Sequence, residues 1–208
     1  MIAQSPPDPH ELCTADNAVL LVIDVQGKLA EMVHESDRLR RVVGKTLRLA
    51  GLFGVPVVMT EQYPKGLGPT VPELRAIFDN LGGEKHLLAK TAFGCCGEPD
   101  FNGLLSRVAD GVRERRAGDV RRAVDVVVAG METHVCVQQT VLELIGRGYR
   151  VVLLADGVSG RVPEYHRLAL ERFRQCGAVI TCYESVAFEW ARSKDHPRFK
   201  EMSALIKE

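Results

Sequence analysis

The sequence predicts an α/β fold, a doubly wound three-layer sandwich around a six-stranded, mainly parallel sheet with the strand order 3-2-1-4-5-6. Short apolar runs alternate with helical patterns along the chain, which is typical of parallel sheets with helices on both faces. The first run, Ala18–Ile23, is apolar at every position, as in strands that are buried on both faces. With 208 residues, 46% of them hydrophobic, the chain is long enough to fill one core.

The strands are predicted where apolar, β-branched residues form short runs between Gly, Pro or charged residues. No linker-like break separates the elements, so residues 1–208 are predicted to form a single domain, with the Pro- and Asp-rich residues 1–16 as a surface arm. The predicted strands are Ala18–Ile23, Val55–Thr60, Lys85–Leu88, Ala123–Ala129, Tyr149–Leu154 and Ala178–Cys182.

The helices are predicted between these runs, from apolar residues at helical spacing and from Gly and Pro at their ends. The charged segment Gly111–Arg122 is expected to be an exposed extension instead. The predicted helices are a stretch after Asp24 that ends near Phe53, then Pro72–Leu81, a helix from Pro99, Thr133–Gly146, Pro163–Cys176, Glu184–Ala191 and His196–Lys207.

Composition excludes several classes of protein. Basic and acidic residues number 27 each, and this balance argues against a nucleic-acid binder or a membrane-surface protein, because both need a basic excess. No apolar run is long enough to cross a bilayer, and the first nine residues lack the pattern of a signal peptide, so a cytoplasmic protein is expected. The six cysteines lack the spacing of a zinc site or a disulfide framework, so neither a metal nor another cofactor is expected.

Three side chains are predicted to meet where the strand order reverses. Ligands of doubly wound sheets bind beyond the carboxyl ends of the strands at that point. Asp24 ends strand one, Cys136 follows strand four, and Lys90 follows strand three. Each has an ordinary alternative: a turn acceptor or helix cap for Asp24, a surface position for Lys90, and a small packed apolar residue for Cys136.

An acid, an ammonium and a thiol together suit nucleophilic attack on a carbonyl carbon. The carboxylate takes the thiol proton, the ammonium holds both anions, and backbone N–H groups of the turn Met131–Cys136 hold the oxyanion. Thr133 is expected to cap the following helix, where the helix dipole lets the thiol of Cys136 ionise more readily. His134 faces elsewhere on that helix and is left out of the mechanism, and His166 is expected to face solvent.

Three sequence blocks resemble the isochorismatase-like cysteine hydrolases, in the order and spacing of that family. They are Val-Ile-Asp-Val-Gln around Asp24, Lys-Thr-Ala-Phe from Lys90 and Gly-Met-Glu-Thr-His-Val-Cys-Val around Cys136. The segments Thr60–Gly68 and His196–Lys200 look most like the branch of isochorismatase domain-containing hydrolases. The resemblance runs along nearly the whole chain, and it implies that Asp24, Lys90 and Cys136 form a catalytic triad.

The resemblance also implies features around the triad. It implies a homo-oligomer and a non-proline cis peptide at Met131–Glu132, next to the oxyanion-binding turn. We expect Gln26, Phe93 and Glu61 to contact the substrate, although loop packing is the alternative for each. The segment Gly111–Arg122 is longer than the family norm and is a candidate oligomer contact.

Two departures from the family narrow the expected function. Nicotinamidases bind a metal through Asp-x-His after strand two, whereas this chain has Thr-Glu-Gln-Tyr from Thr60 and no histidine until His86. Members that cleave the vinyl ether of isochorismate lack the nucleophilic cysteine, which is present here. We therefore expect a metal-independent cysteine hydrolase that cleaves a carboxamide or related C–N bond of a small-molecule substrate through a thioester.

The residues leave two other functions open. One is a non-hydrolytic protein that binds a metabolite or serves as a scaffold, and the other is a vinyl-ether hydrolase that uses Asp24 as its acid. Cys95 and Cys96 lie close enough to the predicted site for oxidation to matter, although structural filling is favoured for both.

Overall fold

The computed structural model describes residues 10–116 and 122–208. Within these ranges six parallel strands form one sheet: β1 (Ala18–Ile23), β2 (Val57–Gln62), β3 (Lys85–Lys90), β4 (Asp125–Met131), β5 (Arg150–Ser159) and β6 (Val179–Thr181). Their order is β3-β2-β1-β4-β5-β6. The predicted topology is therefore confirmed.

Helices connect each strand to the next, and two further helices follow the last strand. In the described residues they are α1 (Leu29–Met32), α2 (Ser36–Phe53), α3 (Pro64–Leu67), α4 (Pro72–Asn80), α5 (Pro99–Arg115), α6 (Gln138–Gly146), α7 (Pro163–Gln175), α8 (Tyr183–Ala191) and α9 (Phe199–Lys207). A π-helical turn, Thr133–Val137, joins β4 to α6. Over the same two ranges, no helix combines the length and the apolar character needed to span a membrane.

Alternate residues of the central strand β1 face two different helical layers. Leu20 and Val22 pack in a cluster with side chains of α2, α8 and α9. Leu21 and Ile23 pack on the opposite face with side chains of α5, α6 and α7. Because both faces of the strand are covered, no position is left for a polar residue, and this explains the unbroken apolar run.

The strand register places several chain segments at one edge of the sheet. Ile23 at the end of β1 pairs with Gly130 near the end of β4. Gln62 pairs with Lys90 where β2 and β3 end. The order of the strands reverses between β1 and β4, so Asp24 and the turn after β4 leave the sheet side by side, in the position where such folds bind ligands.

Four strands end later than predicted, because backbone pairing continues past the point where the apolar pattern stops. Residues such as Gln62 and Lys90 pair normally although their side chains are polar. The predicted ends were Thr60, Leu88, Ala129 and Leu154, and the observed ends are Gln62, Lys90, Met131 and Ser159.

Two segments expected at the surface are packed against the protein. Helix α5 continues to Arg115, and Val112 is buried because it extends the apolar face of the helix. The expected extension Gly111–Arg122 is therefore wrong for its first part, and residues 117–121 lie outside the described residues. Residues 1–9 of the expected surface arm also lie outside the described residues. Further along the arm, Cys13 is packed against the protein: it is only 1% exposed, and its N–H donates to Glu189 Oε2 at 2.6 Å.

Candidate active site

Asp24 and Lys90 form a buried ion pair at the carboxyl ends of β1 and β3. Lys90 Nζ lies 2.7 Å from Asp24 Oδ2, and the two side chains are 0% and 5% exposed. Thr60 Oγ1 donates to the other carboxylate oxygen, Asp24 Oδ1, at 2.7 Å. Asp24 has a left-handed backbone with a φ of 53°, which is uncommon for a residue with a Cβ and is concentrated at functional sites. A cation and a hydroxyl thus hold the carboxylate in one orientation.

The ammonium of Lys90 is fully occupied within the protein. Besides its contact with Asp24, Nζ donates to Gln62 Oε1 at 2.6 Å, to Ala92 O at 3.1 Å and to Phe93 O at 2.8 Å. An ammonium has three protons, and these four oxygens exceed that number. Lys90 therefore orients Asp24 and the loop after β3, and it has no donor left for a ligand.

Cys136 lies in the π-helical turn between β4 and α6 and lines the same cavity as Asp24. Burial, followed by the negative charge of Asp24, raises the pKa of the Cys136 thiol from 9.0 to about 12. The expectation that this thiol ionises readily is therefore wrong for the resting protein. Desolvation and a nearby carboxylate both disfavour the thiolate, and the charge of Lys90 only partly opposes them.

Thr133 does not cap the helix as predicted. The turn has Glu132 at its N-cap without a side-chain cap bond, and Thr133 Oγ1 instead lies 2.9 Å from Nδ1 of His166. His166 was expected to face solvent, but it is half-buried, and burial lowers its pKa. His134 packs against Tyr165, with ring centroids 5.2 Å apart, and is not among the residues that line the Cys136 cavity.

A cavity of about 290 Å³ opens beside Cys136 and Asp24. Lys90 does not line it and lies behind the carboxylate. A larger and more open hollow of about 700 Å³ near Trp190 contains none of the predicted site residues. Apolar side chains form much of the wall beside Cys136: Leu29, Leu67, Phe93, Met131 and Val135.

Gln26 was predicted to contact the substrate and does line the cavity, but its amide is committed to the backbone. Nε2 donates to Gln62 O at 3.2 Å and to Gly68 O at 2.6 Å, and Oε1 accepts from Gln62 N at 2.6 Å. These three bonds use both amide protons and the oxygen. The structure therefore assigns Gln26 to holding the loop after β2.

Glu61 and Phe93, the other two predicted substrate contacts, differ in position. Glu61 is not among the residues that line the cavity, and its Oε1 accepts from Thr70 N at 2.7 Å and from Thr70 Oγ1 at 2.8 Å. Phe93 is 56% exposed and forms part of the cavity wall. Of these two, only Phe93 is in a position to touch a ligand in this cavity.

The cavity also contains an ion pair that the sequence reasoning missed. The Met131–Glu132 peptide is cis, the geometry that the resemblance implies. The Glu132 carboxylate accepts from Arg161 N at 2.8 Å and from Arg161 Nε at 3.1 and 3.2 Å. Arg161 comes just after β5 at the ligand-binding edge of the sheet. Because β5 was predicted to end at Leu154, Arg161 was not expected at the ligand-binding edge of the sheet.

A second thiol, that of Cys95, lies near the ion pair. Its Sγ is 3.9 Å from Thr60 Oγ1, and its N–H donates to Thr140 Oγ1 at 2.9 Å. Cys95 is 0% exposed and does not line the cavity, whereas Cys136 does. Burial raises the pKa of Cys95 to about 12. This packing agrees with the structural interpretation of Cys95 favoured from the sequence.

The buried thiols should make the protein less stable in alkali. Above pH 9 an unfolded thiol loses its proton, but native Cys95 keeps its proton up to about pH 12. The unfolded state then binds fewer protons, so the free energy of unfolding falls as pH rises between these values. The slope is roughly 1.4 kcal/mol per pH unit for each such thiol. Thermal denaturation between pH 8 and 10.5 should therefore show a falling Tm and a shallower fall in Cys95→Ala.

The exposed cysteine Cys176 provides the control for this measurement. Cys176→Ala should keep the slope of the unsubstituted protein. Identical slopes in all three proteins would show that Cys95 does not titrate differently in the folded and unfolded states.

The residues at the end of β2 do not fit the metal site of nicotinamidases. The side-chain amide of Gln62 binds protein atoms: Oε1 accepts from Lys90 Nζ, and Nε2 donates to Thr91 O at 2.7 Å. Tyr63 is 54% exposed. Within residues 10–116 and 122–208, no three His, Cys, Asp or Glu side chains are arranged to hold a metal ion.

Comparisons with protein families, with curated proteins and with solved structures all match this chain along most of its length. Residues 18–185 match the model of the isochorismatase domain. The chain is 38% identical over 190 residues to isochorismatase domain-containing protein 1 of Danio rerio, an alignment that covers 91% of this chain. The chain spans only 61% of the length of that relative.

Solved structures share the whole fold. The MAR1 ribonuclease of Caenorhabditis elegans is 30% identical, with a TM-score of 0.82 over 95% of this chain and 93% of that chain. The YcaC protein of Escherichia coli, described as an octameric hydrolase of unknown specificity, is 22% identical, with a TM-score of 0.77 over 96% of this chain and 97% of that one.

Proposed function

The chain belongs to the isochorismatase family, and on this premise we propose that it is a metal-independent cysteine hydrolase. The substrate is a small molecule with a carboxamide or related C–N bond, and the intermediate is a thioester on Cys136. One observation carries the proposal: Cys136 and Asp24 open onto the same cavity, and Lys90 lies 2.7 Å behind the carboxylate. The arrangement provides a nucleophile, a base and a fixed cation for attack on a carbonyl carbon.

Asp24 acts as the base. The charge of Asp24 is one reason why the pKa of Cys136 is raised, so transfer of the proton to Asp24 removes the repulsion that opposes a thiolate. The positive charge of Lys90 acts to lower the pKa of Cys136 and therefore favours the new anion. The sulfur then forms a bond to the carbonyl carbon, and the C–N bond breaks while Asp24 returns the proton to the leaving nitrogen.

Hydrolysis of the thioester completes the cycle. Asp24 takes a proton from water, the oxygen bonds to the acyl carbon, and the C–S bond breaks. The sulfur regains its proton, and the products are ammonia and a carboxylic acid. Both steps develop charge on the acyl oxygen, and we assign its stabilisation to backbone N–H groups of the turn that contains Cys136. The N–H groups of Val135 and Val137 already bond to Glu132 O at 2.9 and 3.3 Å, so we assign this role to the N–H of Cys136, the residue that carries the reacting sulfur.

Amide cleavage fits this chain better than cleavage of RNA, although one related structure is named a ribonuclease. The formal net charge is zero, whereas proteins that hold a phosphate backbone have a basic excess. Most of the cavity wall is apolar and its one cation, among the described lining residues, is Arg161. We therefore propose a small-molecule substrate, with no nucleic acid as partner.

Self-association is a further part of the proposal. The related Escherichia coli protein is octameric. Leu67 and Phe93 line the cavity here and are 41% and 56% exposed, and large apolar side chains exposed together are typical of interfaces. We propose a homo-oligomer on these grounds.

Detection of the acyl-enzyme tests the proposed chemistry. Incubation with a panel of small primary amides should release ammonia, and intact-protein mass spectrometry after rapid acid quench should show the mass of the acyl group on the protein. The adduct should map to Cys136, be absent in Cys136→Ala and persist in Cys95→Ala. Slow alkylation by iodoacetamide is uninformative here, because the resting thiol is protonated in either case.

The Cys95→Ala protein is the matched control, because it lacks the neighbouring thiol that has no access to the cavity. Ammonia release by Cys136→Ala at the unsubstituted rate would refute the thioester route. Cleavage of RNA by the unsubstituted protein without any amide hydrolysis would refute the proposed substrate class.

A further inference from the structure

The polar side chains around the cavity differ in how much hydrogen-bonding capacity they retain. Gln26 donates both of its amide protons to backbone oxygens and accepts one backbone N–H. Gln62 Oε1 accepts from Lys90 Nζ, and Gln62 Nε2 donates one of its two protons to Thr91 O. Both amides keep part of this capacity, since an amide oxygen accepts two bonds and Gln62 Nε2 has a second proton, but neither amide carries a charge.

Arg161 is different. Its N–H and Nε bind Glu132, and within the described residues neither Nη atom bonds to the protein. The side chain is 53% exposed and lines the cavity beside Cys136. A guanidinium has two donor edges. Glu132 holds the edge that includes Nε, and the edge formed by the two Nη atoms is left for a ligand in the cavity that Arg161 lines. The fixed edge neutralises Glu132 and holds the guanidinium in place, and this preorganisation favours binding at the free edge.

We propose that the free edge of Arg161 binds a carboxylate on the acyl part of the substrate. This inference rests on the proposed amide hydrolysis and narrows its substrate class to short amides that carry an acid group at the far end. Paired N–H donors of a guanidinium match the two oxygens of a carboxylate. The apolar side chains of Leu29 and Val135 in the wall suit the methylene groups between the amide and the acid.

Matched substrates test the inference. Monoamides of linear dicarboxylic acids with two to four methylenes are compared with unbranched alkyl amides of the same length. In the unsubstituted protein, kcat/KM should be at least about tenfold higher for the acids, as expected for a hydrogen bond to a charged group. In Arg161→Gln the ratio should fall to about one, and Arg161→Lys should keep part of it. The control Arg167→Gln removes an exposed arginine that pairs with Glu164, and it should keep the full ratio.

A binding measurement separates failure of this inference from failure of the proposed function. Isothermal titration with glutarate should show binding that is lost in Arg161→Gln and kept in Arg167→Gln. If no amide is hydrolysed but this binding pattern holds, the amide function is wrong and the carboxylate site stands. If amides are hydrolysed without preference for the acids, or if Arg161→Gln keeps the preference or the binding of glutarate, the carboxylate site is wrong. Absence of both hydrolysis and binding overturns both proposals.

Discussion

Asp24→Asn should reduce amide hydrolysis at least about a thousandfold and destabilise the protein by roughly 3–5 kcal/mol. The rate falls because an asparagine cannot accept the proton of Cys136. The stability falls because Lys90 keeps a buried charge, with a side chain that is 0% exposed, opposite a neutral group. Ammonia release and urea denaturation measure the two effects on the same preparation.

The double variant Asp24→Asn/Lys90→Gln separates the two roles of the ion pair. It removes both charges, so it should recover at least about 2 kcal/mol of the stability lost in the single variant, while its activity stays as low. Recovery of activity along with stability would mean that Asp24 acts only by holding the fold. A single variant as stable as the unsubstituted protein would mean that the ion pair is not structurally important.

Gly130→Ala should unfold the protein or leave it insoluble, a loss of more than about 4 kcal/mol. Gly130 lies in β4 beside β1 and has a φ of 126°, a conformation that L side chains rarely adopt. A Cβ at this position would lie 2.1 Å from Ile23 O and 2.6 Å from Ile23 N. Both atoms are backbone of the central strand, so relief requires separation of β1 from β4, next to Asp24.

Gly146→Ala is the matched control for this substitution. Gly146 is the last residue of α6, and a Cβ there would have nothing within 4 Å. Alanine should be neutral or stabilise the helix by up to about 1 kcal/mol. Soluble yield and thermal denaturation of both variants provide the comparison, and a soluble Gly130→Ala with an unchanged Tm would contradict the steric argument.

The sequence was sufficient for the topology and for the position of the ion pair. Apolar runs such as Ala18–Ile23 and their alternation with helices specify a parallel sheet, and the rule for ligand sites in such sheets selects the ends of β1 and β4. This reasoning expected Asp24 and Lys90 in one crevice, and the structure places them 2.7 Å apart. Local patterns were enough there because the residues directly follow or end strands.

The remaining features depend on tertiary contacts that local patterns do not encode. The raised pKa of Cys136 arises from burial and from Asp24, which is distant in sequence. Arg161 was missed because β5 continues through residues without an apolar pattern. Gln26 and Glu61 were placed near the substrate because they are polar residues close to strand ends, but the structure uses both to fasten a loop.

The loop after β2 is fastened by Gln26 at Gln62 and Gly68 and by Glu61 at Thr70. The conformational entropy of this part of the cavity wall is therefore already lost when the chain folds, before any ligand binds. Binding of a small compound then costs little additional entropy, because the wall is already ordered. Most of the free energy of its contacts therefore contributes to its affinity. By the same reasoning, a bulky compound has to break these bonds to enter, so selection by size follows from the rigidity of the wall.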